Sequence, residues 1–136
     1  MFKQLKNNFF QAAFGSLVWI TILCSLTDFR SQIPFSYIWH LIGISLLIGI
    51  VFGIIYPYLW NYSTLKAATN IDLCTLINTL CAYAGVYLYS TQMFAFIRPF
   101  FIGVLLLTLI LHIVSFYFYY KYDNKKMASS LNQLNH

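Results

Sequence analysis

The chain is organised as four long apolar runs separated by short polar stretches. The polar stretches fall around residues 28–30, 61–70 and 92–98. Each apolar run is long enough to cross the roughly 30 Å hydrocarbon core of a bilayer as an α-helix. The predicted spans are residues 9–26, 37–59, 71–89 and 99–120. Because the connections are short, neighbouring spans should lie side by side and antiparallel, so the pattern predicts an all-α, four-helix bundle.

Composition places this bundle in a membrane. Hydrophobic residues make up 60% of the chain and charged residues only 8%, against roughly a quarter charged in ordinary soluble domains. A membrane β-barrel would show short segments of alternating hydrophobicity, whereas the runs here are continuous. We therefore expect one integral membrane domain over residues 1–136, ending in a short tail at 121–136.

The distribution of lysine and arginine predicts the orientation, because cytoplasmic flanks retain positive charge during insertion. The predicted topology puts most of the basic residues on one side and two on the other: Lys3, Lys6, Lys66, Lys121, Lys125 and Lys126 against Arg30 and Arg98. This asymmetry predicts a multi-pass protein of the cell membrane with both termini in the cytoplasm. The net charge of +5 then reflects these flanks and their attraction to anionic lipid, and we expect no direct binding of nucleic acid.

Small residues indicate where the helices pack. Ser45, Gly49 and Gly53 recur every four residues in the second span and so share one face. Such a stripe lets a neighbouring backbone approach closely, either within the chain or in a homodimer, and we favour packing within the chain. Pro57, in the last turn of the same span, predicts a mild kink.

A few polar side chains fall inside the predicted spans. Asn78 lies near the bilayer centre of the third span, on a face with small residues, and needs a partner such as Ser45 or Thr108. We interpret it as an interhelical hydrogen bond, with a ligand contact as the alternative. His40 and His112 lie at different depths and are poorly placed to share a metal ion. Each is either structural or functional, and we favour an interfacial role for His40 and a neutral, hydrogen-bonded imidazole for His112.

No combination of residues in the sequence specifies catalysis, a metal site or a cofactor. The chain has no glutamate, and its cysteines form no CxxC pair. No histidine lies near Cys24, Cys74 or Cys81 in the sequence, as a Cys–His nucleophile would favour. A small drug/proton antiporter needs an intramembrane carboxylate, and the first span contains no acidic residue, which argues against that class. We therefore expect a protein that is not an enzyme.

The tail after the fourth span is basic at first and polar afterwards. Lys121, Lys125 and Lys126 are expected to contact anionic headgroups or a protein partner at the cytoplasmic face. The tail is either a docking helix or a frayed, solvated end.

The short basic start, the glycine-containing second span and the end of the fourth span in YFYYKYDNKKM resemble an uncharacterised bacterial membrane family, domain-of-unknown-function family 3021. That family is often encoded beside a LytTR-type DNA-binding regulator. The resemblance implies a regulatory or accessory membrane protein that restrains or senses for such a regulator. Two alternatives remain: a small transporter or substrate-binding module with a pocket between helices, and a membrane-perturbing, holin-like protein.

Overall fold

The computed structural model describes residues 1–27 and 34–134, with side chains described up to residue 129. Two sets of residues with predictions lie outside this part of the chain. They are Arg30, predicted on the outer side of the membrane, and the last two residues of the predicted tail. In chain order the elements are α1 (Phe2–Thr27), a 3-10 turn (Phe35–Tyr37), α2 (Ile38–Ile48), a π-helical segment (Gly49–Ile55), α3 (Tyr56–Asn61), α4 (Ala67–Tyr89), α5 (Thr91–Ile97), a second 3-10 turn (Arg98–Phe100) and α6 (Phe101–Leu134).

These elements join into helices of membrane-spanning length. The described residues contain four helical stretches long and apolar enough to cross a membrane: Phe2–Leu26, Phe35–Asn61, Ala67–Tyr89 and Thr91–Ser129. No strand occurs among the described residues. The prediction of an all-α chain with four apolar spans is confirmed. We call these stretches the first to fourth spans.

The second span changes its helical pitch midway. Between Gly49 and Ile55 the backbone is π-helical, and the N–H of Tyr56 donates to the carbonyl of Val51, five residues earlier. The segment ends next to Pro57, which lies in the first turn of α3. Proline has no N–H and its ring clashes with the carbonyl four residues earlier, that of Gly53, and a wider turn relieves this clash. The structure thus shows a π-helical segment just before Pro57, and the mild kink expected there stays a prediction.

The first span packs against this wider segment. A Cβ built on Gly49 would lie 2.8 Å from Cβ of Ala13, and one built on Gly53 would lie 2.6 Å from the backbone nitrogen of Phe9. The backbone of α1 thus runs directly over Gly53, and the side chains of Ala13 and Phe9 lie against Gly49. Only residues without a side chain permit this approach. Ser45, on the same face, is buried. The stripe predicted from the sequence is therefore occupied by another helix of the same chain.

Hydrogen bonds join the second and third spans at both ends. At one end the hydroxyl of Tyr37 donates to the carbonyl of Tyr89 at 2.6 Å, and Nδ1 of His40 lies 2.7 Å from the carbonyl of Leu88. These carbonyls belong to the last turn of α4, where the helix supplies no N–H partner. At the other end the buried amide of Asn70 donates to the carbonyl of Leu59 at 3.0 Å. The two spans are therefore held in a defined register.

The fourth span begins earlier and ends later than predicted. Ser90 caps α5 by accepting a hydrogen bond from the N–H of Met93, so a helix already begins at Thr91 rather than at residue 99. Tyr83 of α4 contacts Phe101 at 5.2 Å between ring centroids and donates to the carbonyl of Ile97, which holds the new helix against the third span. At the other end α6 continues to Leu134, so residues 121–134 of the predicted tail are helical.

Candidate functional site

An aromatic cavity lies between the second and fourth spans. Its volume is about 390 Å³, and it is partly open to the protein surface. Its walls come from the end of the π-helical segment, from α3 and from the middle of α6: Phe52, Tyr56, Pro57, Trp60, Asn61, His112, Ser115, Phe116 and Tyr119. We call this space the aromatic cavity. Because only two helices line it, its remaining side faces the surroundings of the bundle.

His112 connects the two walls of the aromatic cavity. Its Nδ1 lies 2.8 Å from the backbone carbonyl of Thr108, and its Nε2 is hydrogen-bonded to the hydroxyl of Tyr56. A carbonyl only accepts hydrogen bonds, so Nδ1 carries the proton. Sequence reasoning predicted an imidazole bonded to a hydroxyl, and the structure places the Tyr56 hydroxyl against Nε2 of His112; the neutral state of the ring stays a prediction. Thr108 contributes its backbone carbonyl to His112.

The rings of the aromatic cavity form a continuous wall. Trp60 stacks on Phe116, with 5.5 Å between ring centroids and 26° between ring planes. Tyr119 extends this wall at 6.4 Å from Trp60, and Phe52 lies 5.1 Å from Tyr56 on the other side. Because Trp60 and Phe116 stack on each other, only an outer face of the pair is available to an incoming group. Such a face is suited to a flat, apolar ring.

Two polar side chains in the wall have no hydrogen-bond partner among the described residues. They are Asn61, at the end of α3, and Ser115, on α6 between His112 and Phe116. Both are exposed at the cavity surface. Neither was singled out from the sequence, because a serine in a span and an asparagine in a loop are common. What distinguishes them is that the fold places both in the wall of the aromatic cavity.

Asn78 lies in a second, separate cavity. This cavity has a volume of about 410 Å³ and lies between the first three spans, with Cys24, Ile44, Cys81 and Gly85 among its lining residues. Asn78 is half-buried there and makes no hydrogen bond within the described residues. Neither partner proposed from the sequence, Ser45 or Thr108, forms a hydrogen bond with Asn78 in the described residues. The hydroxyl of Ser45 donates instead to the carbonyl of Ile42. The structure does not bring Asn78 and His112 into one site.

Sequence reasoning missed Asn70 and Thr79, which are among the most deeply buried polar residues of the third span. Asn70 is 5% exposed, Thr75 3% and Thr79 1%. The carbonyl oxygen of the Asn70 amide and the hydroxyl of Thr75 have no partner among the described residues. Asn70 lies four residues before Cys74, which is fully buried, and this helical spacing was the available signal. The buried face of α4 is thus rotated from the face that contains Asn78.

The basic residues of the tail lie on a continuous helix. Lys121, Lys125 and Lys126 belong to the exposed final part of α6.

Within the described residues, no group of three or more histidine, cysteine, aspartate or glutamate side chains could hold a metal ion.

Comparison with known proteins provides no relative. No protein family, no curated protein and no solved structure matches the chain.

Proposed function

We propose that this protein is a non-enzymatic regulatory or accessory membrane protein that acts through a protein partner at the cytoplasmic face. The observation that carries the proposal is the length of α6. Its 34 residues extend about 51 Å at 1.5 Å per residue, whereas the hydrocarbon core is roughly 30 Å thick. About the last 14 residues of α6, at 121–134, therefore extend beyond the lipid as a helix. We call them the α6 extension.

The α6 extension has the charge expected of a contact surface. Lys121 and Lys125 are one helical turn apart and so share a face, and Lys126 follows directly. All three side chains are exposed. Near the membrane such lysines contact anionic headgroups, and further out they suit an acidic surface on a protein. A helix that continues directly out of the bundle transmits movements of the bundle to whatever it binds.

The topology we propose is an antiparallel bundle with both termini in the cytoplasm. It is supported by the order of contacts, since Gly53 faces Phe9 while the later residue Tyr62 donates a hydrogen bond to the earlier residue Gln4. It is supported further by the excess of lysines at the end of the bundle that contains Lys66 and the α6 extension. The resemblance to domain-of-unknown-function family 3021 suggests the partner, a LytTR-type regulator that the protein restrains at the membrane.

Site-specific crosslinking tests this proposal. A photo-crosslinking residue at Tyr122, which is 72% exposed on the α6 extension, is expected to capture a DNA-binding regulator from native membranes. The matched control carries the same residue at Ile102, 64% exposed near the other end of α6, and is expected not to capture it. Truncation after Lys121 should release the regulator from the membrane fraction. Equal capture at both positions, or retention of the regulator after truncation, would contradict the proposal.

A second candidate function is supported by the aromatic cavity. A volume of about 390 Å³ falls within the range of roughly 300–1,000 Å³ typical of small-molecule sites. The protein would then be a substrate-binding module or small transporter. Thermal stabilisation of the purified protein by members of a ligand panel, lost when Ser115→Phe fills the cavity, tests this function. A panel that stabilises neither protein, or both equally, would contradict it.

A further inference from the structure

The side chains that line the aromatic cavity indicate the chemical class of its ligand. Its lining combines flat aromatic walls with two polar side chains, and no lining residue carries a formal charge. The lining comes only from the second and fourth spans, so a ligand can enter sideways from the lipid. A molecule that dissolves in the bilayer therefore meets this cavity directly.

The shape of the aromatic walls favours a flat ring over a compact cation. Cation binding by aromatic residues places ring faces around a central charge. Here Trp60 and Phe116 stack on each other with 26° between their planes, so they do not surround a central point and offer one outer face of the pair. The charged residues nearest in sequence to Tyr119 are Lys121, Asp123 and Lys125, which together give no negative excess to attract a cation.

The polar groups of the aromatic cavity indicate oxygen acceptors on the ligand. The Ser115 hydroxyl and the Asn61 amide both donate hydrogen bonds, and both lack a partner among the described residues. The ring nitrogens of His112 are already engaged by Thr108 and Tyr56. Ring oxygens of a bound molecule would satisfy these donors while its ring stacks on Trp60.

We propose that the aromatic cavity binds a neutral, flat, membrane-soluble ring that carries carbonyl oxygens, as in the quinone class. The ring stacks on Trp60 and Phe116, and its oxygens accept hydrogen bonds from Ser115 and Asn61. Any apolar tail of the ligand extends into the lipid through the open side. This inference specifies the ligand of the second candidate function, and it is independent of a partner at the α6 extension.

The fluorescence of Trp60 can report binding in the cavity, because quinones quench indole fluorescence. The variant Trp19→Phe/Trp39→Phe leaves Trp60 as the only tryptophan of the chain's three. The matched control, Trp19→Phe/Trp60→Phe, leaves Trp39, which is 69% exposed and lies outside the cavity. Each protein is reconstituted in lipid nanodiscs and titrated with decylubiquinone and with menadione.

We expect saturable quenching of Trp60 and only linear, collisional quenching of Trp39. In the Trp60 protein, Ser115→Phe should weaken the affinity at least tenfold by filling the cavity. Ile113→Phe, which adds the same ring at a position 50% exposed outside the cavity, should leave the affinity unchanged. Ser115→Ala and Asn61→Leu should each weaken it about three- to tenfold, as the loss of one hydrogen bond predicts. The melting temperature of each variant without ligand shows that it is folded.

Several results would overturn the proposal. Linear quenching of Trp60, or saturable quenching that Ser115→Phe leaves unchanged, would show that quinones do not bind in the cavity. Displacement of the quinones by tetraphenylphosphonium at lower concentrations than the quinones themselves require would show a cation site instead. If other panel ligands stabilise the protein through Ser115 while quinones do not bind, the second candidate function stands and the ligand class is wrong.

Discussion

The close approach of the first and second spans at Gly53 makes a quantitative prediction for Gly53→Ala. The new Cβ would lie 2.6 Å from the backbone nitrogen of Phe9 and 2.8 Å from the carbonyl carbon of Asn8, whereas ordinary contacts begin at 3.4 Å. The Cα of Phe9 lies closer still, so the first span has to withdraw by more than about 0.8 Å. Because the obstructing atoms are backbone, no side-chain rotation relieves the overlap.

The expected cost follows from two opposing effects. Overpacking a close contact costs about 1–3 kcal/mol, and a rigid backbone neighbour puts Gly53→Ala at the upper end. Alanine in place of glycine in a helix returns roughly 1 kcal/mol. We therefore expect Gly53→Ala to lower the free energy of unfolding by about 2 kcal/mol.

The chain provides matched controls for this substitution. Gly103, within α6, has nothing within 4 Å of a built Cβ, so Gly103→Ala should be neutral or stabilising by up to about 1 kcal/mol. Gly49→Ala should fall between the two, because its close neighbours are the Ala13 Cβ at 2.8 Å and the Phe9 ring at 3.0 Å, and the ring can move. The expected order of stability is Gly103→Ala, then Gly49→Ala, then Gly53→Ala.

Unfolding of the purified proteins by denaturing detergent, followed by circular dichroism, measures this order. The first span should also lose protection from proteolysis first in Gly53→Ala, because that span is the element displaced. If Gly53→Ala is as stable as Gly103→Ala, α1 does not run over Gly53 and the packing argument is wrong.

Three further substitutions test polar contacts in the same unfolding assay. Asn70→Ala should lower the free energy of unfolding by about 1–3 kcal/mol, because it leaves the buried Leu59 carbonyl without a donor; an unchanged midpoint would contradict this. Thr75→Val should be neutral or stabilising, because it keeps the shape of the side chain and removes a buried hydroxyl that has no partner among the described residues. A loss of more than about 1 kcal/mol would show that this hydroxyl is bonded. Tyr37→Phe should lower the free energy of unfolding by about 1 kcal/mol, because it removes the 2.6 Å hydrogen bond to the Tyr89 carbonyl. A free energy of unfolding equal to that of the unsubstituted protein would show that this hydrogen bond does not contribute.

Some local details followed from the sequence, and others depended on contacts between distant residues. A mild kink at Pro57 was predicted, because the missing N–H is a property of that residue alone. The structure shows a π-helical segment that ends two residues before it. His112 was predicted to be a neutral, hydrogen-bonded imidazole, but its partner Tyr56 is 56 residues away in the chain, and no local pattern identifies such a partner.

The sequence by itself determined the four apolar helices. Hydropathy and segment length are properties of consecutive residues, so the spans can be read along the chain without knowing which helix meets which. The burial of Asn70 was decided by packing. It depends on how one helix is rotated against its neighbour, and side-chain identity along one helix does not specify that rotation.

The aromatic cavity is likewise a product of tertiary structure alone. Asn61 and Ser115 are ordinary residues in their own segments, and Trp60 could have served only as an interfacial anchor. The stacking of Trp60 on Phe116 joins the second span to the fourth, and both rings line the cavity. A span needs only a run of apolar residues, whereas a binding site needs side chains from different helices at one depth and on facing sides, which only the packed bundle provides.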